Sequence, residues 1–117
     1  MAIDPRANPL DAAGEEALDR ALRRTWAPVC RADELADRPL PVRLSGEALV
    51  VARFGREVAA FPDLCVHRGT ALSLGWIDAG SAPAADGSPA VGEPCLVCPY
   101  HGWTYDRTGA VRRIPAV

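Results

Sequence analysis

Both histidines of this 117-residue chain stand within three residues downstream of a cysteine, in Cys65-Val66-His67 and Cys98-Pro99-Tyr100-His101. Histidines placed without regard to cysteine would rarely fall this way, so the pairing points to one shared site built from two short segments. The four cysteines, at 30, 65, 95 and 98, are better read as metal ligands or buried thiols than as a disulfide framework. Residues Met1 to Leu10 carry an aspartate, two prolines and no apolar core segment, and read as neither a signal nor a transit peptide. The expected compartment is the reducing cytoplasm.

Two thiolates and two imidazoles delivered by loops about 30 residues apart suit a zinc tetrahedron, or a [2Fe-2S] cluster with two ligands per iron. Spacing alone leaves both open. Charge removes other classes of function: thirteen arginines, no lysine and fifteen acidic residues give a formal charge of -2 with no basic stripe, so nucleic acid is not the expected partner. The longest wholly apolar run, Ala48 to Ala52, is far short of the roughly 20 residues that span a bilayer, so no membrane partner is expected either. With 49% apolar and 24% charged residues, the length fits one modest globular domain.

Residues 1–14 read as a flexible leader, and 15–117 as the domain. Leu18, Ala21, Leu22 and Thr25 share one helical face, and Glu15 and Glu16 precede Arg20, Arg23 and Arg24, so a helix is predicted over 15–26. Trp26 to Cys30 reads as a strand, with Cys30 a buried small hydrophobe inside it, and Arg31 to Leu35 as a helical turn. Val42–Leu44, Ala48–Phe54 and Glu57–Phe61, parted by Ser45-Gly46 and Gly55-Arg56, predict an antiparallel meander. Residues 78–94 are almost wholly Ala, Gly, Ser, Pro and Asp and read as an exposed loop. Leu96–Val97 and Trp103–Tyr105 flank the second Cys/His pair as short strands, and Asp106 to Gly109 turns into a last one over 110–114. Six or so short strands and one helix make the expected fold all-β.

The text around the ligands, Cys65-Val-His-Arg-Gly69 and Cys98-Pro-Tyr-His-Gly-Trp103, resembles the two cluster-binding loops of Rieske iron-sulfur proteins. Trp26 to Cys30, Arg38 to Arg43, Gly46-Glu47, Leu49 to Val51, His67 to Gly75 and Tyr100 to Asp106 extend it. Over roughly residues 20 to 116 the chain is similar to the amino-terminal Rieske domain of ring-hydroxylating and demethylating oxygenases. The membrane-bound Rieske proteins add a disulfide between the loops, but the corresponding positions here are Thr70 and Tyr100.

The resemblance implies an antiparallel β sandwich or barrel that clasps a [2Fe-2S] cluster at one tip, with Cys65, His67, Cys98 and His101 as ligands. Two ferric ions, two sulfides and two thiolates carry no net charge, whereas four thiolates would leave the oxidised cluster doubly negative, so reduction is easier with this set. The implied function is one-electron transfer from a reductase or ferredoxin to a mononuclear iron in an oxygenase domain or neighbouring subunit. The family's oxygenases form homotrimers. Both histidines of this chain are taken by the cluster, so the mononuclear site would lie in another segment or chain, and the Rieske domain reads as truncated at its carboxyl end. The alternatives are a free-standing Rieske ferredoxin and, from another class, a structural zinc-binding interaction module. Cys95 reads as a strand thiol outside the ligand set. Trp103 is either a core aromatic or a shield for the cluster, Tyr100 and Tyr105 are each a donor to a cluster sulfur or a surface phenol, and Arg68 is a solvated charge or a partner contact. Residues 78–94 read as an insertion relative to the family.

Overall fold

A computed structural model describes residues 11–80 and 92–115. Two antiparallel sheets account for the fold, which is all-β with one short helix, as the sequence predicts. Strands β1 (Leu40–Leu44), β2 (Glu47–Phe54) and β3 (Glu57–Pro62) form the first sheet in that order, and β4 (Trp76–Asp78), β5 (Cys95–Val97), β6 (Thr104–Tyr105) and β7 (Val111–Arg113) form the second.

The meander is built by its turns. Ser45 (φ 49°) and Gly46 (φ 77°) both take positive φ, the signature of a type I′ turn, and set Leu44 opposite Glu47 and Leu40 opposite Val51. Between β2 and β3 only the first central residue, Gly55 (φ 65°), is positive, which matches the φ signs of a type II′ turn and pairs Phe54 with Glu57. Along β2, Val50, Ala52 and Phe54 point to one face and are buried. They join Leu72, Leu96, Tyr105, Cys65 and Cys98 in a single core cluster between the sheets, edged by Ala59, Phe61, Ile77 and Trp103.

Several local readings are corrected. The helix α1 runs Ala12–Leu22, starting three residues earlier than predicted because Asp11 caps it, its side chain accepting from the Gly14 N–H at 2.7 Å. Its first turn therefore lies in the segment read as leader. It stops before Trp26, with the Thr25 hydroxyl donating to the Leu22 carbonyl at 2.9 Å. Trp26 to Cys30 is not a strand: Pro28 has no N–H to offer a ladder, and Trp26 is fully exposed. Cys30 is accordingly half-buried rather than buried. A 3₁₀ turn at Ala32–Glu34 does follow, and it is closed by the Arg31 N–H donating to Glu34 Oε2 at 2.7 Å. β4 is a strand that no local pattern announces. Residues 1–10 of the leader and 81–91 of the loop lie outside the described residues.

Candidate metal centre

Each Cys/His segment folds into the same backbone knuckle. In the first, the Cys65 N–H donates to the Thr70 carbonyl (2.8 Å) and the Gly69 N–H returns to the Cys65 carbonyl (2.8 Å). In the second, the Cys98 N–H donates to the Trp103 carbonyl (2.8 Å) and the Gly102 N–H to the Cys98 carbonyl (3.1 Å). Both connect a cysteine to the residues four and five further on. Closure so tight requires a left-handed residue at the fourth position, and glycine stands there in both: Gly69 (φ 77°) and Gly102 (φ 74°).

The knuckles also treat sulfur alike. Cys65 receives the backbone N–H groups of His67 and Arg68, and Cys98 those of Tyr100 and His101, so each thiol sits over the N–H groups two and three residues ahead. Such a nest favours negative charge on sulfur. Burial pushes the Cys65 thiol up, but the Tyr105 hydroxyl, the two N–H groups and the adjoining Cys98 thiol together bring it below its ordinary value. At Cys98 burial prevails, with Cys65 adding to it, and the thiol is raised. Taken together, the pair is arranged to yield one thiolate readily, while a second in the same desolvated place calls for compensating positive charge.

Tyr105 connects the knuckles. It is 2% exposed, donates its hydroxyl proton to Cys65 Sγ at 3.1 Å and accepts the Val66 N–H at 3.0 Å. Burial first, then the sulfur, push this phenol up to about 12, so it remains a donor. Of the two tyrosines that the sequence left as candidates, Tyr105 is the donor and Tyr100 lies at the surface. Trp103 is half-buried against the core and stacks flat on His67, with ring centroids 4.6 Å apart and planes 7° from parallel. His101 meets His67 edge-on at 4.7 Å, and the Tyr100 ring tilts against His101. Burial first, then the charges of His101 and Arg68, lower the His67 basicity. Arg68 is exposed.

All four expected ligands are thus brought together, sulfurs inward in the core and imidazoles outward. Cys95 stands apart at the head of β5, where burial first and then Asp78 raise its thiol while Thr104 bonds it; Cys30 lies on the segment after α1. Among the described residues no three of His, Cys, Asp or Glu converge as ligands of a single ion. The donors divide instead into a buried sulfur pair and an exposed nitrogen pair, the division a two-iron cluster asks for. Two thiols in N–H nests, the second of which needs its charge neutralised, fit such a group. Supports that sequence reasoning missed are Asp63, whose carboxylate accepts from the Ser73 N–H (2.7 Å) and hydroxyl (2.6 Å) to close the base of the first loop, and Gly75. A Cβ on Gly75 would fall 1.9 Å from the Val97 carbonyl oxygen, just before Cys98. The pairing of a pre-loop carboxylate with a post-loop serine was the one available signal.

Residues 25–117 match the Rieske [2Fe-2S] domain. The chain is 40% identical over 101 residues to the methylxanthine N3-demethylase NdmB of Pseudomonas putida, covering 81% of this chain and 26% of the relative. It is 38% identical over 84 residues to CarAa, the terminal oxygenase component of carbazole 1,9a-dioxygenase from Sphingomonas, covering 71% and 19%. Among solved structures, NdmA from Pseudomonas putida CBB5 superposes with a TM-score of 0.65 at 40% identity, over 83% of this chain and 27% of that one. Dicamba monooxygenase, whose structure includes one with non-heme iron and dicamba, gives 0.64 at 29% identity, over 82% and 25%. This chain spans about a quarter of the length of the demethylases it matches. No helix among the described residues is long and apolar enough to cross a membrane. The match covers both knuckles and most of the chain, and on it the chain belongs to the Rieske [2Fe-2S] domain family.

Proposed function

We propose that this chain carries single electrons through a [2Fe-2S] cluster held by Cys65 and Cys98 on one iron and His67 and His101 on the other. It does so as the Rieske part of a non-haem iron oxygenase. The observation that supports this most is the duplicated knuckle, which sets two thiols in equivalent N–H nests inside the core and two imidazoles side by side at the surface. When bound, the cluster supplies a carrier for one electron near the potential range of histidine-ligated centres.

The chain's own residues do the rest. The N–H nests and the Tyr105 hydroxyl hold charge on sulfur, the apolar core around Leu72, Leu96 and Val50 keeps water from that side, and His67 and His101 present the nitrogen side to solvent. An electron donor, a reductase or ferredoxin, and an acceptor, a mononuclear iron in an oxygenase domain or a neighbouring subunit of a homotrimer, would meet that exposed end. Similarity to demethylases and a dioxygenase supports an oxygenase setting over a free-standing ferredoxin. Demethylation or ring hydroxylation is the class of reaction it would serve, in the cytoplasm.

Metal analysis and spectroscopy of the purified protein test the reading. Iron and sulfide at two per chain, visible colour bleached by dithionite and a rhombic EPR signal on reduction are expected. A colourless protein with one zinc per chain overturns it in favour of a structural module.

A further inference from the structure

Among the described ring contacts, none that touches the His67 imidazole comes from the first knuckle itself. Val66 and Arg68, on either side of His67, are exposed, and Gly69 has no side chain. What holds the His67 ring comes from the second knuckle. The Trp103 indole lies 4.6 Å from it at 7°, close to full stacking, while the His101 ring meets it at 69°. Trp103 is itself well fixed. Its carbonyl accepts the Cys98 N–H, its neighbour Thr104 pairs with Val97 in the ladder, and its ring is packed against the core.

Alternation explains why one short segment can do this. Trp103 directly precedes β6, and in extended backbone residues 103 and 105 turn to one side while 104 takes the other. Trp103 and Tyr105 accordingly reach the first knuckle, at His67 and at Cys65 and Val66, while Thr104 turns to Cys95. His101 has no stacked aromatic counterpart among the described residues. Among the described ring contacts it meets only His67 and Tyr100, which is its own neighbour and mostly exposed.

We propose that Trp103 is a positioning residue for His67, fixing the plane of that imidazole from the opposite loop, and that the two nitrogen ligands are therefore unequally held. The proposal rests on the ligand set given above. Removing the indole should loosen the His67 bond first, because among the described ring contacts the indole stacks on His67 and not on His101.

The experiment uses the cluster-loaded protein and four substitutions: Trp103→Phe, Trp103→Leu, Trp103→Ala and, as a control for loss of a tryptophan elsewhere, Trp76→Ala. Two quantities are read, the rate of bleaching by excess chelator and the imidazole-nitrogen couplings in pulsed EPR of the reduced protein. Trp103→Ala is expected to speed cluster loss by about 10- to 100-fold, the usual effect of removing a partner that orients a ligand. One of the two nitrogen couplings should change and the other stay. Trp103→Phe, which keeps a flat ring, should stay within about threefold of the parent. Trp103→Leu keeps much of the bulk without the ring and should show the altered coupling even where Trp103→Ala does not load. Unchanged couplings in Trp103→Leu, or equal changes in both nitrogens and in Trp76→Ala, overturn the proposal. A parent protein that binds no cluster, or shows no nitrogen coupling, overturns the ligand set itself and Trp103's role with it.

Discussion

Tyr105 uses one hydroxyl twice, giving its proton to Cys65 Sγ and accepting the Val66 N–H. A proton directed at a sulfur ligand stabilises the form with more negative charge, which is the reduced one. Tyr105→Phe removes both bonds and is expected to lower the midpoint potential, by roughly 60 mV if the bond is worth a tenfold preference. Protein-film voltammetry against the parent measures it, and an unchanged or higher potential would show that the hydroxyl does not act on the cluster. The same change leaves the Val66 N–H without its partner and should cost about 1 kcal/mol of stability. Gly75 sets a different constraint. Its φ is -84°, so the backbone is ordinary, but a Cβ would stand 1.9 Å from the Val97 oxygen. Gly75→Ala must push β4 and β5 apart at the residue before Cys98, and a loss of about 3 kcal/mol or more with poor cluster retention is expected in denaturant unfolding. Both residues illustrate what one dimension conceals. Tyr105 was legible only as one of two tyrosines with two readings each, because the distance across 40 positions to Cys65 is not written locally, and Gly75 looked like any loop glycine.

The turn between β6 and β7 is organised by a single buried carboxylate. Asp106 Oδ1 accepts the Thr108 N–H (2.8 Å), the Thr108 hydroxyl (2.5 Å) and the Ala110 N–H (3.2 Å), and Oδ2 accepts Arg112 Nε (2.5 Å). The Thr108 hydroxyl foremost, with the N–H groups and Arg112 outweighing the burial, holds the carboxyl down at about 2. A folded-state value below the unfolded one, about 3.9, makes the stabilisation complete above that pH, with loss as the pH falls through about 2. Asp106→Asn should therefore lower the melting temperature at neutral pH, and the gap to the parent should narrow steadily between about pH 4 and 2. A gap that stays constant down to pH 2 would show the carboxylate charge to be irrelevant. Elements closed by such local chemistry were readable: Asp106 to Gly109 as a turn, and β1 to β3 from Val-rich apolar runs parted by Ser45-Gly46 and Gly55-Arg56. Trp26 to Cys30 misled because its composition is that of a strand, while Pro28 and the lack of a ladder partner decide otherwise. β4 escaped because three residues, Trp76 to Asp78, carry no period, and their place is set by pairing with β5 across the long connection. The helix boundary slipped because Asp11, the actual cap, lies beyond Gly14, which looked like a break.

At the scale of the molecule, core and site are one object. Of the eight buried residues that form the central cluster among the described residues, Cys65, Cys98 and Tyr105 belong to the candidate centre, and they share it with Val50, Ala52 and Phe54 of β2 and Leu96 of β5. The surface ion pairs that bridge distant segments, Arg23 with Glu47 and Arg107 with Glu57, are exposed and contribute little. Cohesion between the sheets thus depends on the small apolar centre and on whatever joins the two knuckles. A group bound by the folded chain and not by the unfolded one adds its binding free energy to stability. Removing it should leave two adjoining buried thiols with opposed proton affinities in the middle of the core. Cluster removal by reduction and chelation is therefore expected to lower the melting temperature by at least about 10 °C, which corresponds to roughly 2 kcal/mol in a domain of this size. Cys98→Ser should reproduce the loss, as its sulfur is one of the pair, whereas Cys95→Ser, at the head of β5 three residues earlier and outside the pair, should melt and colour like the parent. Calorimetry with parallel visible spectra distinguishes these cases. Equal melting of loaded and stripped protein would mean that apolar contacts alone join the sheets. Loss of colour in Cys95→Ser would mean that the ligand set has been drawn around the wrong sulfur.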